Sequence, residues 1–169
     1  MNIDAMTNFL SKDNLALHLS YLNTFKLKLS ILQKSDPKIA DMDSYCGSKV
    51  LRRDALKLKS EIDAHEVYFN SFSDKAFKCD FLKKYYSSKE AFCYDVFVQA
   101  KECESDFLFI GKGKYGKPEI FLRGDGSRFT PCLAIDLSEH SYFLDYAFDR
   151  EEYIRRAVSY LDLSRLENE

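Results

Sequence analysis

The chain has 169 residues, of which 46% are hydrophobic and 31% are charged, and its formal net charge is −2. This balance is typical of a globular protein, and the lack of a basic surplus excludes the usual electrostatics of a nucleic-acid-binding protein. No apolar run approaches the roughly 18 residues of a membrane-spanning helix, so we expect neither a nucleic-acid nor a membrane partner.

Two N-terminal segments have apolar residues at close to a 3.6-residue period, which predicts amphipathic helices over 10–32 and 50–72. The polar stretch between them, 34–49, contains Pro37 and Gly47 and is predicted to be a loop or a short helical turn. We expect the two helices to pair as an antiparallel hairpin.

The next segments predict two shorter helices and then strands. Helices are expected over 76–85 and over 87–103, where Ser-Ser-Lys-Glu is a capping-box pattern. Aromatic-rich runs around a glycine-rich stretch then predict strands, and a last helix closes the chain. The expected strands are 106–111, 118–123 and 131–136, and the last helix is 150–166.

The order of these elements predicts an α+β fold. An N-terminal antiparallel helical hairpin would be followed by an α/β part with a three-stranded antiparallel sheet and C-terminal helices. We expect two domains, a helical hairpin domain over 1–73 and an α+β domain over 74–169.

The cysteine and histidine counts bear on compartment and metal binding. Five cysteines, an odd number without C-x-x-C spacing, predict free thiols in a reducing compartment. The N-terminus shows no basic segment followed by an apolar core, as a signal peptide would, so we expect a cytoplasmic protein. With three histidines in the chain, a three-histidine metal site would use all of them.

The most informative motif lies directly after the third predicted strand. Asp136 and His140 are four residues apart at the end of an apolar run, where both side chains can converge on one cation. The same spacing also fits an aspartate that caps a helix and a half-buried histidine with no ligand.

The wider pattern Asp136-x-x-Glu-His140-x-Tyr-x-x-Asp-Tyr146 resembles the Asp-Val-Trp-Glu-His-Ala-Tyr-Tyr-x-Asp-Tyr signature of the iron/manganese superoxide dismutases. The segment 147–154 is similar to the Asn-x-Arg-Pro-x-Tyr-Leu segment of that family, with Arg150 on the family arginine. The segment 61–70 resembles its Gln-Val-Trp-Asn-His-Thr-Phe-Tyr-Trp-Asn segment, with His65 on a metal-binding histidine.

The resemblance implies a superoxide dismutase that binds one iron or manganese ion per chain. It assigns four protein ligands, each of which could otherwise be a core residue. They are His18, His65, Asp136 and His140. Superoxide would be the substrate, and a homodimer is implied because Glu139 stands where the family has a glutamate that crosses the two-fold interface.

Several positions depart from the family pattern around these ligands. Leu22, Asn23 and Lys26 follow His18, so the family's gateway tyrosine and second histidine are absent, although Tyr21 lies nearby. Glu61 replaces a glutamine that donates to solvent at the metal, whereas an ionised glutamate can only accept. The family surrounds the metal with aromatic side chains. Here Ser138 replaces a tryptophan and Phe143 a tyrosine of the family, and Phe107 and Phe109 are expected to form part of the aromatic surroundings.

These departures leave several roles open. We treat Tyr21 and Glu61 as candidate catalytic residues, but Glu61 could also be a metal ligand or have rotated away from the site. Arg150 and Lys26 are candidates for steering an anionic substrate. The alternative functions are a divergent fold relative with a structural or interaction role, or a protein that runs other metal redox chemistry.

Overall fold

The computed structural model, which describes residues 3–44, 46–75, 82–122 and 130–167, begins with a helical hairpin. After the short helix α1 (Ile3–Met6) come the two long helices α2 (Lys12–Ser35) and α3 (Lys49–Phe69), with a 3₁₀ turn at Pro37–Ala40 between them. Each long helix begins at a serine whose hydroxyl accepts from a backbone N–H of the first turn.

The contacts between α2 and α3 show that they are antiparallel. Leu29 and Leu32 of late α2 pack in one apolar cluster with Ala55 of early α3. At the opposite end, His18 of early α2 contacts Phe69, the last residue of α3. The predicted hairpin is therefore confirmed.

A three-stranded antiparallel sheet follows helix α4 (Lys89–Glu102). Its strands are β1 (Phe107–Lys112), β2 (Pro118–Leu122) and β3 (Pro131–Asp136), in the order β2-β1-β3. The register places Phe107 of β1 opposite Asp136, so β3 ends at the same edge where β1 begins. The predicted α+β class and sheet are confirmed.

The C-terminal part differs from the prediction. Helix α5 (Phe143–Tyr146) is short, and α6 (Arg150–Ser159) ends well before the predicted boundary, with a 3₁₀ turn at Leu163–Leu166. The reason is tertiary: the backbone N–H of Asp162 donates to the carbonyl of Ser71, and Leu161 pairs with Phe72. These bonds replace the hydrogen bonds that would have continued the helix.

The predicted helix over 76–85 lies partly outside the described residues, and its described end forms a 3₁₀ turn at Leu82–Lys84. One apolar core draws on both predicted domains: Leu22 of α2 and Tyr68 of α3 belong to the same cluster as β1, β3 and α6. The domain boundary after residue 73 stays a prediction.

Candidate metal centre

Four polar side chains from four elements meet where the hairpin packs on the sheet. His18 lies in α2 and His65 in α3, Asp136 ends β3, and His140 lies in the 3₁₀ turn Glu139–Ser141 that follows. His18, His65 and Asp136 are buried, and the side chain of His140 is 23% exposed. The structure therefore brings together all four ligands that the sequence predicted.

The donor atoms of these side chains point at a common space and lie within 4.8 Å of one another. Asp136 Oδ2 is 3.1 Å from the Nε2 of His18, 3.2 Å from that of His140 and 3.6 Å from that of His65. The Nε2 atoms of His65 and His140 are 3.3 Å apart. Three imidazole nitrogens and one carboxylate oxygen thus surround one point.

The two oxygens of Asp136 have different surroundings. Oδ1 accepts a hydrogen bond of 2.9 Å from the backbone N–H of Ser138, whereas Oδ2 has no hydrogen-bond partner among the described residues. Burial alone raises the pKa of this carboxyl, but contacts with His140 and His18 outweigh it and lower the pKa below its usual range. Oδ2 is therefore an ionised acceptor facing the imidazoles.

The ring of His65 is oriented by the backbone. His65 Nδ1 lies 2.7 Å from the carbonyl of Glu61, which places the proton on Nδ1 and the lone pair on Nε2. Burial lowers the pKa of His65, which favours its neutral form. Both ring nitrogens of the buried His18 lack a hydrogen-bond partner among the described residues, a costly state for a group without a ligand.

These observations fit a bound metal ion. Donors about 2.1 Å from one ion lie roughly 3.0 to 3.6 Å apart at angles of 90–120°, and the contacts between Asp136 Oδ2 and the three imidazoles span 3.1 to 3.6 Å. An ion would satisfy the orphaned atoms of His18 and Asp136. Imidazole and carboxylate donors suit iron, manganese and zinc alike, so the donor set does not select among them.

Aromatic rings border the four donors. The Tyr21 ring lies 4.1 Å from the His140 ring, centroid to centroid, and Phe25 and Phe107 contact His65 at 5.6 and 5.1 Å. Phe107 thus contacts His65, a predicted ligand, and Phe109 stacks on Phe107.

Tyr21 and Glu61, the two predicted catalytic residues, both lie beside the donors. Tyr21 is 42% exposed, and partial burial, together with the nearby charges of Glu61, Asp136 and Asp106, raises the pKa of its phenol. Glu61 is half-buried on α3, one turn before His65, whose ring it holds through its backbone carbonyl. The catalytic roles of both residues stay predictions, and the backbone role of Glu61 could not be predicted from the sequence.

The two cations expected to steer an anion are both engaged elsewhere. Lys26 Nζ lies 2.7 Å from a carboxylate oxygen of Glu66. Arg150 donates to the backbone carbonyls of Lys101 and Cys103, at the C-terminal end of α4. The expectation for Arg150 is therefore corrected, because its guanidinium caps a helix rather than facing the donor cluster.

Sequence reasoning missed a group of buried polar residues beneath the ligands. Tyr153 donates to the backbone carbonyl of Asp136, and Asn14 donates to that of Ser141. Asn14 precedes His18 by one helical turn, and Tyr153 lies in the segment that resembles the family. Neither position carried a signal of its own, because tyrosine and asparagine are common in helices of any function.

Comparison with protein families agrees with this geometry. The model for the C-terminal domain of iron/manganese superoxide dismutases matches residues 56–169. This match includes His65, Asp136 and His140. His18 lies before residue 56, and the fold brings it to the other three side chains. The chain belongs to the iron/manganese superoxide dismutase family.

No individual curated protein matches the chain. Among the described residues, none of the helices is both long and apolar enough to cross a membrane.

Proposed function

We propose that this chain is a superoxide dismutase that holds one iron or manganese ion through His18, His65, Asp136 and His140. The observation that carries the proposal is the convergence of three imidazole nitrogens and one carboxylate oxygen within 4.8 Å in a member of this family. When bound, such an ion would supply one-electron chemistry, taking an electron from one superoxide to give O₂ and passing it to a second, which with two protons gives H₂O₂.

Tyr21 and Glu61 are proposed to act at the open side of this site. A tyrosine phenol is protonated at neutral pH, and the raised pKa of Tyr21 agrees with this, so its hydroxyl can donate a hydrogen bond or a proton to an anionic substrate. Glu61 is proposed to accept a hydrogen bond from solvent held there, because an ionised carboxylate can only accept. The family's glutamine at this position donates a hydrogen bond to the solvent instead. The support is their position beside His140 and His65.

Metal analysis and a dismutation assay test the main proposal. We expect about one iron or manganese ion per purified chain and a dismutation rate above that of the free aqueous metal. His140→Ala should lose the metal and the activity together, because a donor is removed. Tyr94→Ala, at an exposed position of α4, is the control and should retain both. If the wild-type protein retains neither iron nor manganese after loading with each metal, the proposal is wrong and a structural role is favoured.

A conservative variant tests the proposed role of Tyr21. Tyr21→Phe keeps the ring over His140 but removes the hydroxyl, so we expect unchanged metal content and a fall in kcat of about tenfold or more. Tyr94→Phe makes the same change at an exposed tyrosine and should leave kcat unchanged. Equal kcat values for the two variants would exclude Tyr21 as the proton donor.

A cytoplasmic homodimer with Glu139 at its interface completes the proposal. Glu139 is exposed beside His140, and large apolar side chains nearby are exposed as well, namely Phe143, Leu144 and Phe148. The thiols of Cys46 and Cys103, which are not in disulfides, fit a reducing compartment. Glu139→Lys should shift the protein towards monomer in analytical ultracentrifugation, whereas Glu104→Lys, at an exposed position before β1, should not. A monomeric wild-type protein would contradict the dimer.

A further inference from the structure

The turn from Asp136 to Ser141 carries two of the four donors. Asp136 ends β3 and His140 lies in the 3₁₀ turn, so the backbone between them sets the distance from Oδ2 to the His140 Nε2, which is 3.2 Å. A metal site depends on such distances within a few tenths of an ångström. Whatever holds this turn therefore controls how well the two donors meet on one ion.

The hydroxyl of Tyr153, on α6, is bonded directly to this turn. It lies 2.7 Å from the backbone carbonyl oxygen of Asp136 and 3.5 Å from Oγ of Ser141. On its other side it is 3.2 Å from the hydroxyl of Tyr68. Tyr68, Tyr153 and Asp136 are all fully buried, so water does not compete for these bonds.

The direction of these bonds follows from the donors present. A carbonyl oxygen can only accept, so the single proton of Tyr153 goes to Asp136, and the Tyr68 hydroxyl donates to the Tyr153 oxygen. The hydroxyl of Ser141 lies within 2.9 Å of two carbonyls, those of Asp136 and Ser138, and donates to one of them. The hydroxyl of Tyr153 thus bonds the carbonyl of Asp136, the first residue of the turn, from outside the turn.

The other end of the turn is held from the hairpin. Asn14 Nδ2 donates to the backbone carbonyl of Ser141 at 2.6 Å, and Asn14 lies one turn before His18 on α2. Two buried side chains from α6 and α2 therefore fix the two ends of one short segment. The segment carries Asp136 and His140, and α2 carries a third donor.

The geometry points to Tyr153 as a positioning residue of the metal site. Its hydroxyl fixes the Asp136 peptide carbonyl and thereby holds the Asp136 carboxylate and the His140 imidazole at the spacing one ion requires. This inference rests on the proposed function, because it concerns the affinity of the same four donors for a metal. Tyr153 touches none of the donor atoms itself and acts through the backbone.

Titration of the metal-free chain of 169 residues with Co²⁺ and Mn²⁺ tests the inference, with visible absorption as the readout for Co²⁺ and electron paramagnetic resonance for Mn²⁺. In Tyr153→Phe we expect affinity to fall about tenfold or more, the usual effect of losing a group that orients a ligand. The Co²⁺ absorption bands should also shift, because the arrangement of donors changes.

Tyr68→Phe is the matched control. It removes a buried hydroxyl from the same hydrogen-bonded pair but leaves the bond from Tyr153 to Asp136 in place. We expect its affinity within about threefold of wild type and unchanged Co²⁺ bands, even if its thermal stability falls as much as that of Tyr153→Phe. Equal losses of affinity in both variants, or none in Tyr153→Phe, would overturn the inference and leave the proposed function intact.

Two further outcomes are also decisive. If wild type binds neither ion, both the proposed function and the inference fail. If Tyr153→Phe does not fold, 3-fluorotyrosine at position 153 retains the hydroxyl as a stronger donor and should shift the Co²⁺ bands, whereas the same residue at position 68 should leave them unchanged. Identical bands for the two fluorinated proteins would contradict the role of Tyr153.

Discussion

Asp136 shows how one residue is divided between structure and chemistry. Its Oδ1 is held by the backbone N–H of Ser138, and its Oδ2 is left for a cation. The family has tryptophan where this chain has Ser138, yet the bond to Oδ1 comes from the peptide and survives any side chain except proline. A change that looks disruptive in the sequence therefore leaves the orientation of the carboxylate intact.

The buried imidazole of His65 leads to a pH dependence of the metal-free protein. Burial lowers its pKa in the folded state, whereas in the unfolded chain it takes up a proton near pH 6.5. The unfolded state thus binds more protons below that pH, and the free energy of unfolding should fall as pH decreases from 7 to 5. Urea unfolding of the metal-free protein at several pH values measures this.

His65→Gln removes the titrating group and serves as the comparison. We expect a shallower fall in stability between pH 7 and 5 for this variant than for wild type. Equal slopes for the two proteins would show that other groups cause the pH dependence.

At the scale of the elements, contacts at the ends of helices join elements to one another, and the spacing of apolar residues does not predict these contacts. Arg150 begins α6, and its guanidinium donates to two carbonyls at the end of α4, which joins the two helices. Cations at a helix C-terminus are favourable because they meet unpaired carbonyls and the negative end of the helix dipole. This capping role accounts for an arginine at position 150 without a contact between its guanidinium and the metal-site side chains.

Removal of this cap should lower stability and spare the metal. For Arg150→Gln we expect a loss of about 1 to 2 kcal/mol in the free energy of unfolding, with unchanged metal content. Arg155→Gln, which breaks exposed ion pairs with Glu151 and Glu152, should cost under about 0.5 kcal/mol. Denaturant titration measures both, and a loss of dismutation without a loss of stability in Arg150→Gln would contradict this assignment.

The end of α5 contains a strained residue. Ala147 has φ 47° and ψ −115°, a conformation that glycine adopts freely and alanine rarely does. Ala147→Gly should stabilise the fold by about 1 kcal/mol, which corresponds to a rise in Tm of about 2–4 °C at this chain length. Ala91→Gly, inside α4, should lower Tm by a similar amount, and a lower Tm for Ala147→Gly would refute the strain.

At the scale of the whole molecule, the charges offer little attraction for an anion. The formal net charge is −2, and Lys26 is paired with Glu66, the residue next to His65. Glu61, Asp106 and Asp136 add negative charge near Tyr21. We therefore expect electrostatic attraction to speed the arrival of an anionic substrate less than it does in enzymes with a positively charged approach to the site.

We therefore expect the second-order rate constant for superoxide to stay level or rise as salt is added, rather than to fall, because screening weakens repulsion. Glu66→Gln should raise this constant at low salt, since it frees Lys26 from its pair. Asp63→Asn removes the same charge from the exposed Lys59 pair and should have a smaller effect. Pulse radiolysis at several ionic strengths measures all three proteins, and a steep fall for wild type would contradict the prediction.

Much of the fold could be predicted because its signals are local. The spacing of apolar residues in α2 and α3 and the aromatic runs of β1–β3 each reflect hydrogen bonds and burial within a few residues. The end of α6 could not be predicted in this way, since Asp162 meets Ser71 and Leu161 meets Phe72 only after the chain folds back.

The sequence by itself determined most of the elements, the α+β class, the family and four residues whose side chains can donate to a metal, because residue type and spacing suffice for these. The tertiary structure alone decided that His18, distant in sequence from Asp136, approaches it to 3.1 Å. It also decided that Lys26 is paired with Glu66, that Arg150 bonds the end of α4, and that Tyr153 bonds the turn from Asp136 to Ser141. Such contacts depend on distances and angles between elements, which packing sets and local sequence does not encode.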